Sequence, residues 1–144
     1  MRPKNKQHKL DILFMDLADR IGLMSYATRA KVGAIVVKDD NIISMGWNGT
    51  PSGMDNCCEV LDENGVLTTK PEVLHAESNA LMKLSAGSSV GASGATMYCT
   101  YSPCPECAKL IKQAKILRVV YRNVYRLTDG IDMLKNLNVQ VDKI

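Results

Sequence analysis

The sequence predicts an α/β protein, a three-layer αβα sandwich built on a mixed sheet of five strands. Three observations carry that prediction. An apolar pattern at helical spacing near the N-terminus is followed by two β-rich runs joined by a short polar turn. From residue 75 onward, helix-like and strand-like segments alternate. Alternation after a hairpin favours helices packed on a sheet that is parallel in part.

The elements follow in order. Leu10, Leu13, Phe14, Leu17 and Ile21 fall at helical spacing, so Lys9 to Met24 should form an amphipathic helix. Val32 to Val37 is a β-branched run that reads as a buried strand, and Ile42 to Trp47 as its partner across Asp39-Asp40-Asn41. Asn48 to Glu72 has no clear period and contains several Gly, Pro, Asn and Asp residues, so it reads as a long functional loop. A helix is expected over His75 to Ser85, a connector over Gly87 to Gly94 and a strand over Ala95 to Thr100. Cys104 to Ala114 looks helical, with Leu110 and Ile111 facing inward. A strand over Leu117 to Tyr121, a helix over Thr128 to Leu137 and a short strand over Val139 to Val141 complete the pattern.

Composition bounds the function. With 144 residues, 46% of them hydrophobic, the chain reads as one globular domain over 1–144 with a real core. No apolar run is long enough for a membrane span, so no membrane partner is expected. The net charge of +3 is mild. Arg2, Lys4, Lys6 and Lys9 cluster at a basic terminus, expected to be solvated and frayed, not a nucleic-acid face. No apolar stretch and small-residue cleavage site follow, so no secretory signal is expected. Five cysteines, an odd number, argue against a disulfide framework and suit a cytoplasmic protein.

The chemistry concentrates in His75-Ala76-Glu77 and Pro103-Cys104-Pro105-Glu106-Cys107. A Cys-x-x-Cys at a helix start lets two thiolates converge on one ion, and the helix N-terminus favours the thiolate form. His75 adds an imidazole from its own helix start. Three ligands leave a coordination position for water, as catalytic zinc sites do. Glu77, two residues past His75, is placed to carry protons beside the metal without binding it. This pairing of His-x-Glu with Pro-Cys-x-x-Cys is the zinc nucleobase deaminase pattern. Two other readings compete. The cysteines could be a redox pair, which leaves His75 and Glu77 unused. The site could be a closed structural zinc, with Cys57 or Cys58 as fourth ligand.

Beyond these residues the sequence resembles the deoxycytidylate deaminases, especially the compact enzymes of tailed phages. The likeness lies in His75-Ala76-Glu77-Ser78-Asn79-Ala80, Ser102 to Ile111, Val32 to Val37 and Gly46-Trp47-Asn48-Gly49-Thr50-Pro51-Ser52-Gly53, and runs from the first helix to about Asp129. It implies the cytidine deaminase-like fold, one catalytic Zn2+, and hydrolysis of dCMP to dUMP and ammonia, feeding dTMP synthesis. It implies substrate contacts at Asn48 and Thr50 in the loop after the second strand, with Asn48 on the sugar or base. Ser102 would face the base and Tyr125 would lie near the phosphate. Hexameric assembly, activation by dCTP and inhibition by dTTP are expected on the same ground.

Sequence position supports an anion site of its own accord. Arg122 and Arg126 follow the fourth strand, at the edge where open α/β sheets bind ligands, and guanidinium groups suit phosphate. Arg29 and Lys31, before the first strand, are candidates for a phosphate or an allosteric triphosphate. Some phage and bacterial relatives carry a cysteine at the position of Ala27 for a second, structural zinc; here too few partners are visible for one. The alternatives to dCMP are another base (cytidine, guanine or tRNA adenosine) and a non-catalytic zinc-stabilised binding module.

Overall fold

The computed structural model describes residues 3–87 and 91–144. Arg2 of the basic cluster and residues 88–90 of the Gly87–Gly94 connector lie outside the described residues. The chain runs α1 (Lys4–Gly22), β1 (Gly33–Lys38), β2 (Asn41–Trp47), β3 (Glu59–Leu61), β4 (Leu67–Thr69), α2 (Ala76–Ala86), β5 (Thr96–Tyr101), α3 (Pro105–Gln113), β6 (Arg118–Asn123), α4 (Asp129–Asn136) and β7 (Gln140–Lys143). The five long strands form one sheet in the order β2-β1-β5-β6-β7. β1 is antiparallel to both β2 and β5, whereas β5, β6 and β7 are parallel. The mixed αβα sandwich expected from the sequence is therefore the fold.

Strand parity sorts the core into two layers. Ala34, Val36, Met97, Cys99 and Val119 pack with α2, α3 and α4 residues such as Ala80, Ile111 and Leu134. Ile35, Val37, Tyr98 and Val120 pack on the other face with Phe14, Met15 and Ala18 of α1. The turn between β1 and β2 uses Asp39 and Asp40 at φ of 49° and 62°, the left-handed pair that tight hairpins require.

Four expectations are corrected. α1 starts at Lys4, so Lys4, Lys6 and Lys9 stand exposed on a helix instead of fraying. Its buried stripe is Asp11, Phe14, Met15, Ala18 and Gly22, which leaves Leu13 at 50% exposure and Leu17 at 36%. Of the five spaced residues, Phe14 is buried and Leu10 and Ile21 pack at the edge of the same cluster, while the contact centres on Ala18 and Gly22, whose small size allows close approach. Leu110 is likewise exposed; α3 buries Cys107, Ala108 and Ile111. The loop after β2 contains a small hairpin, β3 paired antiparallel with β4, closed by Asp62, whose Oδ1 accepts from Asn64 N and Val66 N.

The topology gathers distant segments at one rim. Because β1 runs against β5, with Ala34 opposite Cys99, the start of β1 lies beside the end of β5. The end of β2 lies there too, since Trp47 opposes Gly33. Parallel pairing of Cys99 with Tyr121 and Tyr101 with Asn123 brings the end of β6 to the same rim. At the opposite end, Arg118 forks onto Asp11 with two 2.8 Å bonds and reaches Asp142 at 2.8 Å, while Tyr98 donates to Asp11 at 2.7 Å.

Candidate active site

Two helix starts face each other at this rim. His75 is the residue capping α2 and Cys104 the residue capping α3, with Pro105 at the first helical position, where its missing N–H costs nothing. Cys104 Sγ accepts from Cys107 N at 3.5 Å, so the sulfur itself caps the helix. Glycines let both helices seat closely. A Cβ on Gly46 of β2 would lie 2.5 Å from Ala76 O, and one on Gly130 of α4 only 1.9 Å from Pro103 O. Each of these contacts fixes the backbone next to a candidate ligand.

His75, Cys104 and Cys107 offer ligand atoms that all lie within 4.8 Å of one another. His75 Nδ1 is 3.3 Å from Cys107 Sγ and 3.4 Å from Cys104 Sγ. A tetrahedral zinc with ordinary Zn–N and Zn–S lengths sets an N···S edge of about 3.6 Å. The donor set therefore fits one zinc ion, with two thiols and an imidazole already converged. Cys57 and Cys58 do not belong to the group. Cys58 is buried with Ala27 and Val73, its thiol turned to Asn56 O, and Cys57 turns to Glu59 O. Neither supplies the fourth ligand of a closed site.

The three groups are electrostatically coupled to one another. The Cys107 S–H bond, joined by that of His75, draws the Cys104 thiol down to about 4 against its burial. The same bond and burial push Cys107 strongly up. The bond to Cys104 raises His75. Glu77 is buried at 4% exposure, and burial pushes its carboxyl up, against the Cys107 bond. A carboxyl raised by burial holds a proton more readily than an exposed one, which suits a group that must both take and give protons.

The cavity above this group measures about 470 Å³. Of the residues singled out in the sequence, Arg29, Asn48, His75, Glu77, Ser102, Cys104, Tyr125 and Arg126 line it. Asn48 is already engaged: its Oδ1 accepts from Val32 N and its Nδ2 donates to Ala30 O. It braces the start of β1 as well as facing the cavity. Ser102 Oγ accepts from Tyr125 N at 2.8 Å, which holds the segment after β6 over the site. Arg29 and Arg126 have no carboxylate partner among the described residues.

Three expected residues lie elsewhere. Arg122 points to the α1 face, paired with Asp16 at 2.9 Å and with Asp19. Its strand parity matches Val120, which already packs under α1; that alternation is the signal that places it. Thr50 Oγ1 donates to Asp55 O within its own loop, and neither it nor Lys31 lines the cavity. Conversely, Glu59, Thr69, Val73, Tyr101 and Val124 line the cavity without having been singled out. For Glu59 and Thr69 the available signal was two short apolar runs flanking Asp62-Glu63-Asn64-Gly65, a hairpin pattern.

Fold and donor set together define an α/β protein in which three side chains able to hold a metal ion converge beside a buried carboxyl. Residues 8–123 match the family described as the cytidine and deoxycytidylate deaminase zinc-binding region. The chain is 34% identical over 151 residues to the deoxycytidylate deaminase of Enterobacteria phage T4, covering 77% of each. It is 34% identical over 121 residues to that of Mycobacterium phage D29, covering 77% of this chain and 92% of the relative. Among solved structures, the dCMP deaminase of cyanophage S-TIM5 in complex with dCMP and dUMP superimposes with a TM-score of 0.87 at 48% identity, over 100% of this chain and 99% of that one. The chain belongs to the cytidine and deoxycytidylate deaminase family and is an enzyme of that class.

Proposed function

We propose that the chain is a zinc-dependent dCMP deaminase, converting dCMP and water to dUMP and ammonia and so supplying dTMP synthesis. The observation that carries this is one cavity lined by His75 and Cys104 of the three-ligand group, by the buried Glu77, and by Arg29 and Arg126, which have no carboxylate partner among the described residues. The likeness along the whole chain to a structure named for dCMP and dUMP supports the choice of substrate.

His75 Nδ1, Cys104 Sγ and Cys107 Sγ would hold the ion. Zinc bound there supplies a Lewis acid that lowers the pKa of water to about 7. Glu77 takes a proton from the attacking water and delivers protons to the ring nitrogen and the departing amine. Its burial keeps bulk water from competing for that proton. Asn48 and the Ser102 segment bound the base and sugar, and Arg29, Tyr125 and Arg126 face the phosphate. Regulation by dCTP and dTTP, hexameric assembly and a cytoplasmic location, host cytoplasm for a phage product, complete the reading; these rest on family resemblance. Among the described residues no helix is long and apolar enough to cross a membrane.

The test is ammonia release by the zinc-loaded protein from dCMP, deoxycytidine, cytidine, guanine and a tRNA anticodon stem. Stoichiometric dUMP and ammonia from dCMP is the expected result. An inert dCMP beside turnover of another substrate overturns it. Titration with dCTP and dTTP, with sedimentation in parallel, tests regulation and assembly.

A further inference from the structure

Arg29 is an exposed residue between α1 and β1, a place where a long side chain normally samples many rotamers. Here it is held at both ends. Glu59 Oε1 accepts from Thr28 N at 2.8 Å and from Arg29 N at 3.1 Å, which fixes the backbone. Thr69 Oγ1 accepts from Arg29 Nη1 at 3.1 Å, which fixes the guanidinium. Glu59 and Thr69 oppose each other directly in the β3–β4 ladder. One rung of the small hairpin therefore grips one arginine. Glu59 is buried, at 8% exposure, although β3 is only three residues long. All three residues line the same cavity as His75 and Glu77. The guanidinium keeps further donors for an anion, and among the described residues none of its partners is a carboxylate that would compete.

We propose that Glu59 and Thr69 are positioning residues that aim Arg29 at the substrate phosphate, so that the β3–β4 hairpin sets the preference for a nucleoside monophosphate over the nucleoside. This rests on the reading of Arg29 as a phosphate contact. The hairpin does not touch the reacting atoms; it limits where the cation can be.

The experiment measures Kd for dUMP and for deoxyuridine with the zinc-loaded protein and its variants, beside dCMP turnover of the unaltered chain. Arg29→Met should weaken dUMP by about 10- to 100-fold. Thr69→Val, at an exposed position that preserves shape, should weaken dUMP by about three- to tenfold, and Glu59→Ala by a similar factor, with Glu59→Gln recovering much of the loss. Deoxyuridine should change by less than about twofold throughout. The double variant Arg29→Met/Thr69→Val should bind dUMP no worse than Arg29→Met alone, because Thr69 acts only through Arg29. Equal weakening of both ligands by Thr69→Val, or no weakening of dUMP, overturns the proposal. A full loss at Glu59→Ala through misfolding leaves Thr69→Val to decide it. If Arg29→Met leaves dUMP binding intact, the phosphate assignment falls and the positioning role with it, while dCMP turnover still upholds the activity.

Discussion

Single side chains separate the chemistry from the support. Glu77 is buried beside the thiol–imidazole group and forms no ion pair among the described residues. Glu77→Gln is nearly isosteric and should lower dCMP turnover by at least about 100-fold. Zinc content and Tm should stay close to those of the parent; metal analysis with a melting curve checks the pair of outcomes. Cys104→Ala should behave differently, because it removes a ligand and the sulfur that caps α3. It should lose bound zinc and melt earlier. The metal ligands and Glu77 were legible because Cys-x-x-Cys and His-x-Glu are local patterns with chemical meaning at fixed spacing. Arg122 and Arg126 were not separable by residue type. One sits on a strand whose parity turns it toward Asp16 and Asp19; the other lies past the strand end, over the cavity.

At the scale of elements, what the site requires is helix placement. α4 meets the Pro103–Cys104 backbone through Gly130, with no room for a methyl group at 1.9 Å from Pro103 O. Gly130→Ala must push α4 away from the metal loop. It should cost about 1–3 kcal/mol of stability and reduce zinc occupancy, measured by urea unfolding and metal titration. The major strands and helices were readable because their apolar periods are long enough to register. The β3–β4 hairpin left only a weaker trace, Asp62-Glu63-Asn64-Gly65 between two short apolar runs, since three-residue strands carry no period of their own. On α1 the exposure of Leu13 and Leu17, beside the packed Leu10, Phe14 and Ile21, has a related reason. Spacing marks an apolar side, but small residues such as Ala18 and Gly22 decide which part of it meets the sheet.

For the whole molecule, the Asp11–Arg118–Asp142 network joins α1, β6 and β7. Burial alone would raise the Asp11 carboxyl, but bonds from Arg118, Tyr98 and Gln7 outweigh it and hold the group below its ordinary 3.8. A carboxyl depressed by folding stabilises the native state above its unfolded pKa, and that contribution is lost as pH falls through the folded value. Stability should therefore decline below about pH 4. Asp11→Asn should cost about 2–4 kcal/mol at pH 7 and flatten the acid limb, read by urea unfolding at pH 3 and pH 7. Tertiary pairings of this kind were not visible in the sequence, because Asp11 and Arg118 look like ordinary surface charges until the sheet brings them together.

The placement of that network has a further consequence. Arg118 opens β6 and the cavity lies beyond Asn123, which closes it, so the two regions stand roughly 17 Å apart along one strand. Durability and chemistry are thus written at opposite ends of the same sheet. Laboratory evolution for acid tolerance can work at one end while leaving substrate choice to variation at the other, and mutations from the two campaigns should combine additively.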